Sequence, residues 1–405
     1  MMIKSLIDLD LYKLTMKQAI YLNDLRNNVS SLHILNKQVE YEFKCRNTDV
    51  KFSEACFQRI KNEVNKLNKL ELTPEEFEFL ENNTPLCRIF VNYLKIVRLK
   101  PIEQVKLSLK DGELSIVVFG SWIDTILYET MILAIVNQCH LEDKINQLGI
   151  TIEELHKNQL KIFNKKIAMW KELDCEEFMI AEAGTRRRAS FEWQDEMIGI
   201  MKREIKNFNM TSNVYLAMKH DLKPVGTVAH EWIMGHAGVT RLDKSNQLAA
   251  DNWLKIYNGA SNMLCSLTDT YTTDHYINTM PKQLLEKHIA FRQDSGCPKE
   301  WGNKMIDCFK NHEIDPKDKT FIFSDSLNLM KAFELYHQFK DDVGKISFII
   351  GTYFTNDNHI VAPINIVMKL MKMDGMPLIK IGDDIGKAMC NDEAFKEYAI
   401  NTFTK

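Results

Sequence analysis

What the chain lacks already narrows its class. Its nine cysteines in 405 residues are scattered, and no two form a C-x-x-C pair. Neither a zinc site nor a disulfide framework is suggested, and a reduced cytoplasmic protein is the expectation. No stretch approaches the roughly 18 apolar residues that span a bilayer, so no membrane partner is expected. Asp8 interrupts the first apolar run too early for a signal peptide. There is no basic excess: 52 Lys and Arg face 55 Asp and Glu, a net charge of −3. That balance argues against a nucleic-acid partner, though a few local arginines can still hold a phosphate. Short repeats, Pro/Ser-rich linkers and low-complexity tracts are also missing.

What is present is an ordinary globular composition, 45% hydrophobic and 26% charged. A chain of this length buries a large core and has room for two or three domains. Thr73-Pro74-Glu75-Glu76 and Thr151-Ile152-Glu153-Glu154 carry the capping-box signature of helix starts. The mostly apolar stretch 124–137 predicts a largely buried helix. From about residue 176 the rhythm changes. Six short apolar runs (178–181, 224–228, 263–267, 289–291, 321–323 and 346–350) each end in polar, charged or glycine residues ahead of a helical stretch. Strands alternating with helices predict βα units and a parallel sheet. Reactive residues at strand C-termini fit an α/β barrel, and an open doubly wound sheet shows the same pattern. The two chain ends lack this rhythm and form a separate layer.

Chemistry concentrates after those runs. Gly184-Thr185-Arg186-Arg187-Arg188 offers three adjacent guanidiniums, each able to fork onto a phosphate; such a run is equally the mark of a solvated basic turn. His230-Glu231 suggests a zinc-protease helix only at first sight, because H-E-x-x-H needs histidine where Met234 stands. A histidine beside an acid after a strand can instead carry a proton or accept a phosphoryl group. Arg292 and Asp294 are two apart, so alternation points them the same way. They could hold an anion and a sugar hydroxyl or Mg²⁺ shell, or simply pair with each other. Ser324 in Phe323-Ser324-Asp325 and the pair Gly351-Thr352 offer hydroxyls and N–H groups of the kind that cradle phosphate.

In order, these segments closely resemble the nicotinate phosphoribosyltransferase family of bacteria and fungi. The matching stretches include DLYKLTMKQA (10–19), VEYEFKCRN (39–47), WIDTILYETMILAIVNQ (122–138), GTRRRASFEWQ (184–194), TSNVYLAMKHDLKPVGTVAHEWIMGH (211–236), FRQDSG (291–296), FSDSLN (323–328), IGTYFTND (350–357) and GKAMCNDEAF (386–395). They run nearly end to end.

The resemblance implies an irregular α/β barrel over 141–364, joined to a mixed α/β domain built from 1–140 and 365–405. It implies a homodimer with shared active sites and a ligase-class enzyme of NAD biosynthesis. Nicotinate and phosphoribosyl pyrophosphate would be substrates, with ATP as co-substrate and Mg²⁺ on the leaving pyrophosphate. Tyr12 of the partner subunit would stack on nicotinate. Thr227 and Arg292 would bind it, and Arg186, Ser324, Gly351 and Thr352 would hold phosphates. Asp294 would sit near the ribose or metal, and His230 would be the phosphohistidine. Ser212 stands where the related nicotinamide enzymes carry aspartate, which would repel a carboxylate, so nicotinate is the expected base. Three positions depart from the family pattern: Cys297 for aspartate, Met210 for glycine and Ala183 for an aromatic. They give some cause for a rival reading, a catalytically impaired relative with a binding role.

Overall fold

The computed structural model describes residues 1–25, 33–173, 177–384, 386 and 388–404. Of the matching stretch 386–395, Lys387 lies outside the described residues. Two sheets organise the chain. Strands β1 (Gln38–Cys45), β2 (Val105–Lys110), β3 (Glu113–Ser121), β11 (Ile366–Met373) and β12 (Met376–Pro377) form one, in the order β12-β11-β1-β3-β2. Its pairings are antiparallel, and it draws on both chain ends.

The second sheet is parallel and contains β4 (Met179–Glu182), β5 (Met210–Thr211), β6 (Lys223–Pro224), β7 (Cys265–Leu267), β8 (Ala290–Gln293), β9 (Thr320–Phe323) and β10 (Lys345–Ile350). Its order is β6-β5-β4-β10-β9-β8-β7. Strands adjacent in sequence are therefore neighbours, and the last, β10, pairs with the first, β4. This is the wiring of an α/β barrel with one seam, between β6 and β7. The question left open by the sequence, barrel or open sheet, is settled in favour of the irregular barrel.

Local chemistry explains most elements. Thr73 and Glu76 make both bonds of a capping box ahead of the helix Pro74–Asn83. Thr151 and Glu154 exchange the same bonds before Ile152–Leu173. The predicted buried helix is realised as Tyr128–Gln147, buried on nearly every side over its first four turns. One strand expectation needs correction, and one strand was missed. The run 224–228 is a strand only at Lys223–Pro224, because Gly226 turns the backbone at φ +150°. The two-residue β5 is too short to show any alternation and was not foreseen.

Two hydrophobic cores result. One lies around the barrel and includes Phe178, Phe291, Phe321, Phe323 and Phe348. The other unites the N-terminal layer and β11 with a later segment containing Trp232 and Trp253. The helix His230–Ala237 thus packs on the second domain while opening at the barrel mouth. Gly235 permits this approach: a Cβ there would stand 2.1 Å from the Trp122 ring.

Candidate active site

His230 is the first residue of its helix and is buried. Its Nε2 lies 2.9 Å from Asp294 Oδ2 and its Nδ1 lies 3.0 Å from Thr270 Oγ1. Burial lowers its pKa to about 4, so the ring is neutral at pH 7. A neutral ring facing a carboxylate keeps its proton on Nε2 and donates it to Asp294. That leaves the lone pair on Nδ1, where the Thr270 hydroxyl donates.

Asp294 follows β8 and gathers several partners. Ser324 Oγ donates to its Oδ1 at 2.6 Å, and Arg292 approaches that oxygen to 3.7 Å. Burial opposes ionisation, yet Arg292, His230 and Lys380 hold the carboxyl well below its usual range. Arg292 Nη1 donates to Val228 O at 3.3 Å, while its buried Nε has no partner among the described residues.

The three arginines do not act together, which corrects the expectation of one triple anion site. Arg186 and Arg187 sit on a 3₁₀ turn, Thr185–Arg187, and Arg188 is its extended C-cap, so the three point in different directions. Arg188 is fully buried and grips Asp8 with two bonds of 2.7 and 2.9 Å. Arg187 donates to Asn365 Oδ1 and Ile366 O. Arg186 alone faces the site, 3.8 Å from Asp10 and 3.6 Å from Glu129.

Tyr12 lies beside Arg186 of its own chain, with the guanidinium 6.0 Å from the ring centre. Gly226 makes room, since a Cβ would stand 2.8 Å from Tyr12 N. Thr227 follows, and its carbonyl accepts from Thr15 Oγ1 at 2.6 Å. Ser212 donates to Asp10 Oδ1 at 2.7 Å. The charge that serine was expected to remove is thus partly restored by Asp10, whose carboxyl burial pushes up. Gly351 follows β10 and lies against Ala183 and Gly184, next to the Arg186 turn, and Thr352 opens the short helix after it. No contact joins them directly to His230 among the described residues.

A buried charge chain runs beneath. Lys13 bonds both Glu129, at 2.5 Å, and Glu231. Glu231 also accepts from Tyr41 Oη at 2.5 Å and Trp122 Nε1 at 2.8 Å. These residues tie the N-terminal helix, Leu11–Leu25, to the helix that begins with His230. Lys369 on β11 and Lys380 beyond β12 were not singled out from sequence. Lys380 Nζ lies 3.4 Å from Asp269. As for the departures, Met210 is a buried strand residue, Ala183 N donates to Ile350 O, and Cys297 is an exposed helix N-cap whose side chain caps nothing.

Residues 178–405 match the Nicotinate phosphoribosyltransferase (NAPRTase) family and residues 7–137 match its N-terminal domain. The chain belongs to the nicotinate phosphoribosyltransferase family. A nicotinate phosphoribosyltransferase of Pseudomonas aeruginosa is 34% identical over 403 residues, covering 99% of this chain and 96% of that one. A Vibrio cholerae nicotinate phosphoribosyltransferase is 36% identical over 411 aligned residues, covering 97% and 90%. The crystal structure of a nicotinate phosphoribosyltransferase from Vibrio cholerae superposes with a TM-score of 0.89 at 35% identity, over 100% of this chain and 94% of that one. One from Porphyromonas gingivalis gives 0.88 at 31% identity, covering both chains fully. This nicotinate phosphoribosyltransferase family member also has no helix long and apolar enough to cross a membrane among its described residues.

Proposed function

We propose that this chain joins nicotinate to phosphoribosyl pyrophosphate, releasing pyrophosphate, and that ATP drives the reaction through a phosphohistidine at His230. The observation that carries the second half is the neutral His230, with Asp294 on Nε2 and a lone pair on Nδ1. Nδ1 attacks the γ-phosphorus of ATP, the bond to ADP breaks, and the Nε2 proton stays shared with Asp294. Water later cleaves the P–N bond and releases phosphate. The transfer itself needs the pyridine nitrogen to displace pyrophosphate at the anomeric carbon.

Arg292, at the end of β8 and 3.7 Å from Asp294, supports nicotinate as the base, because a guanidinium forks onto a carboxylate. Tyr12 covers the ring, and Arg186 holds a phosphate. Among the described residues no cluster of three or more ligating groups could hold a metal alone. Mg²⁺ characteristically takes one or two carboxylates and completes its shell with substrate phosphates. Asp269 Oδ1, buried and without a partner, fits that role. When bound, the ion would neutralise the departing pyrophosphate. Family resemblance extends the proposal to a cytoplasmic homodimer.

Nicotinamide is the rival base, and Asp10 beside Ser212 is the observation in its favour. We expect kcat/KM for nicotinate to exceed that for nicotinamide by at least about a hundredfold; the reverse ranking overturns the assignment. Incubation with ATP labelled in the γ-phosphate should give protein-bound label that is lost in acid, survives base and is absent from His230→Ala. Label that persists in His230→Ala would refute the acceptor.

A further inference from the structure

We propose that Glu182 is a positioning residue: its ionised carboxylate fixes the spacing between the Arg186 turn and the Ser212 strand end, and so sets the fit of the base there. The functional half rests on the reading of that pocket as the nicotinate site.

Glu182 ends β4 and is fully buried. Its carboxylate accepts hydrogen bonds from three different parts of the chain. Gly184 N donates to Oε1 at 2.6 Å, from the residue that opens the Arg186 turn. Gln194 Nε2 donates to the same oxygen at 3.0 Å, from the helix Phe191–Glu204. Thr211 Oγ1 donates to Oε2 at 2.6 Å, from β5. The Glu182 backbone adds a fourth tie, because its carbonyl accepts from Ser212 N at 2.7 Å. One residue thus holds the turn and the strand end together.

The side chain carries its charge without a counter-ion. Arg188 is engaged by Asp8 and reaches Glu182 only through Gln194, whose Oε1 accepts from it at 3.1 Å. Arg186 approaches Asp10 and Glu129 instead. Glu192, on the helix with Gln194, is exposed and pairs with Lys4. β5 and the helix Thr352–Thr355 contain no charged residue, and β10 sets Ile350 opposite Glu182. Asp10 opposes ionisation from the N-terminal segment. Burial outweighs the three hydrogen bonds and raises the carboxyl to about 7.

Both protonation states are therefore populated near neutrality, and they hold the network differently. Ionised, the carboxylate takes all three donors. Protonated, Oε2 donates to Thr211 Oγ1, which already accepts from Asn213 N at 3.2 Å. The Thr211 proton then loses its acceptor. A buried donor left unpaired loosens β5 beside Ser212.

The test compares the parent chain with Glu182→Gln, whose amide copies the protonated pattern and cannot ionise. The ratio of parent to variant kcat/KM for nicotinate cancels substrate ionisation. It should climb at least about fourfold from pH 6 to pH 8, through KM more than kcat, as Glu182 goes from about one-tenth to about nine-tenths ionised. Stability should move the other way. A carboxyl raised in the folded state contributes stability that is present below its unfolded pKa and lost as pH rises through about 7. The urea midpoint of the parent relative to Glu182→Gln should therefore fall over the range in which its relative activity climbs. A merely structural residue moves both together. An activity ratio flat with pH, or activity and relative stability that rise together, overturns the assignment. If Glu182→Gln does not fold, Thr211→Val carries the test: it removes the donor on Oε2, so the acid limb of kcat/KM should move up by roughly one pH unit. A limb left in place overturns the assignment as well. A parent that makes no nicotinate mononucleotide, with the fall in relative stability intact, removes the nicotinate reading and leaves Glu182 as the titrating tie.

Discussion

Replacing Lys13 by methionine should destabilise the protein far more than a surface change would. Lys13 is fully buried, and its two partners, Glu129 and Glu231, are 9% and 7% exposed. Removing one member of a buried ion pair costs about 3–5 kcal/mol, because the remaining charge loses its compensation. Here Glu231 would keep the Tyr41 hydroxyl and the Trp122 N–H. Glu129 would keep Arg186, 3.6 Å away, and the weaker attraction of Lys369. The lower end, about 3 kcal/mol, is therefore expected. Urea unfolding at pH 7 measures it. The deficit should also depend on pH in a definite direction. Burial alone would raise the Glu129 pKa, but Lys13, Arg186 and Lys369 hold it below the usual value. A carboxylate depressed in the folded state contributes stability above its unfolded pKa, and loses it as pH falls through the folded one. Lys13→Met removes much of that contribution, so the deficit is largest near neutrality and narrows towards about pH 4. A loss below about 1 kcal/mol at pH 7, or a deficit that widens in acid, would refute the reasoning.

Further outcomes follow from other sites. Cys297→Asp puts a capping carboxylate at the N-cap of Pro298–Asn311 and should stabilise by about 0.5–2 kcal/mol in the same unfolding assay; an unchanged midpoint would show the cap has no effect there. Gly226→Ala places a Cβ 2.8 Å from Tyr12 N on a backbone at φ +150°, so KM for nicotinate should rise at least about tenfold by steady-state kinetics, with a smaller change in kcat. Because burial holds His230 near pKa 4, labelling by ATP should persist to about pH 5, and a loss centred near 6.5 would contradict a buried neutral ring. The same lowered pKa means the folded state binds fewer protons there, so this group makes stability rise as pH rises from about 4 to 6.5. Asp294→Asn should cut the labelling rate by at least about a hundredfold in a quenched time course.

The residues that announced themselves in sequence did so because local pattern fixes direction. Arg292 and Asp294 alternate on one strand end, and the structure brings Arg292 to 3.7 Å from Asp294, which in turn bonds His230. The arginine run shows the limit of that logic. Charge marks the segment as important, but only the 3₁₀ turn decides that Arg188 is buried on Asp8 while Arg186 stays open. Ser212 was legible as a position and illegible as an environment, since Asp10 is 202 residues away in sequence. Lys369 and Lys372 are three apart, so strict alternation sets them on opposite faces. The structure instead slips register at Met371, and they stand opposite Glu42 and Glu40, with Lys372 paired to Glu40 at 2.8 Å. A bulge of that kind leaves no mark in the strand's own sequence.

The segment after β12, where Ile381 and Gly382 bond Thr270 and Asp383 bonds Thr273, bears on how the enzyme matures. Tyr12, Arg186, His230, Asp294 and Lys380 come from widely separated parts of the chain, and the two residues after Lys380, Ile381 and Gly382, donate their N–H groups to Thr270 O only after both domains exist. Contacts of such long sequence separation form late, because the closure entropy of large loops must be met first. A ribosome-bound chain still missing β11 would have a nearly complete barrel yet an unfinished catalytic cleft. Activity should therefore appear abruptly at the end of synthesis, and a partly made or nicked chain should be inert before it is unfolded.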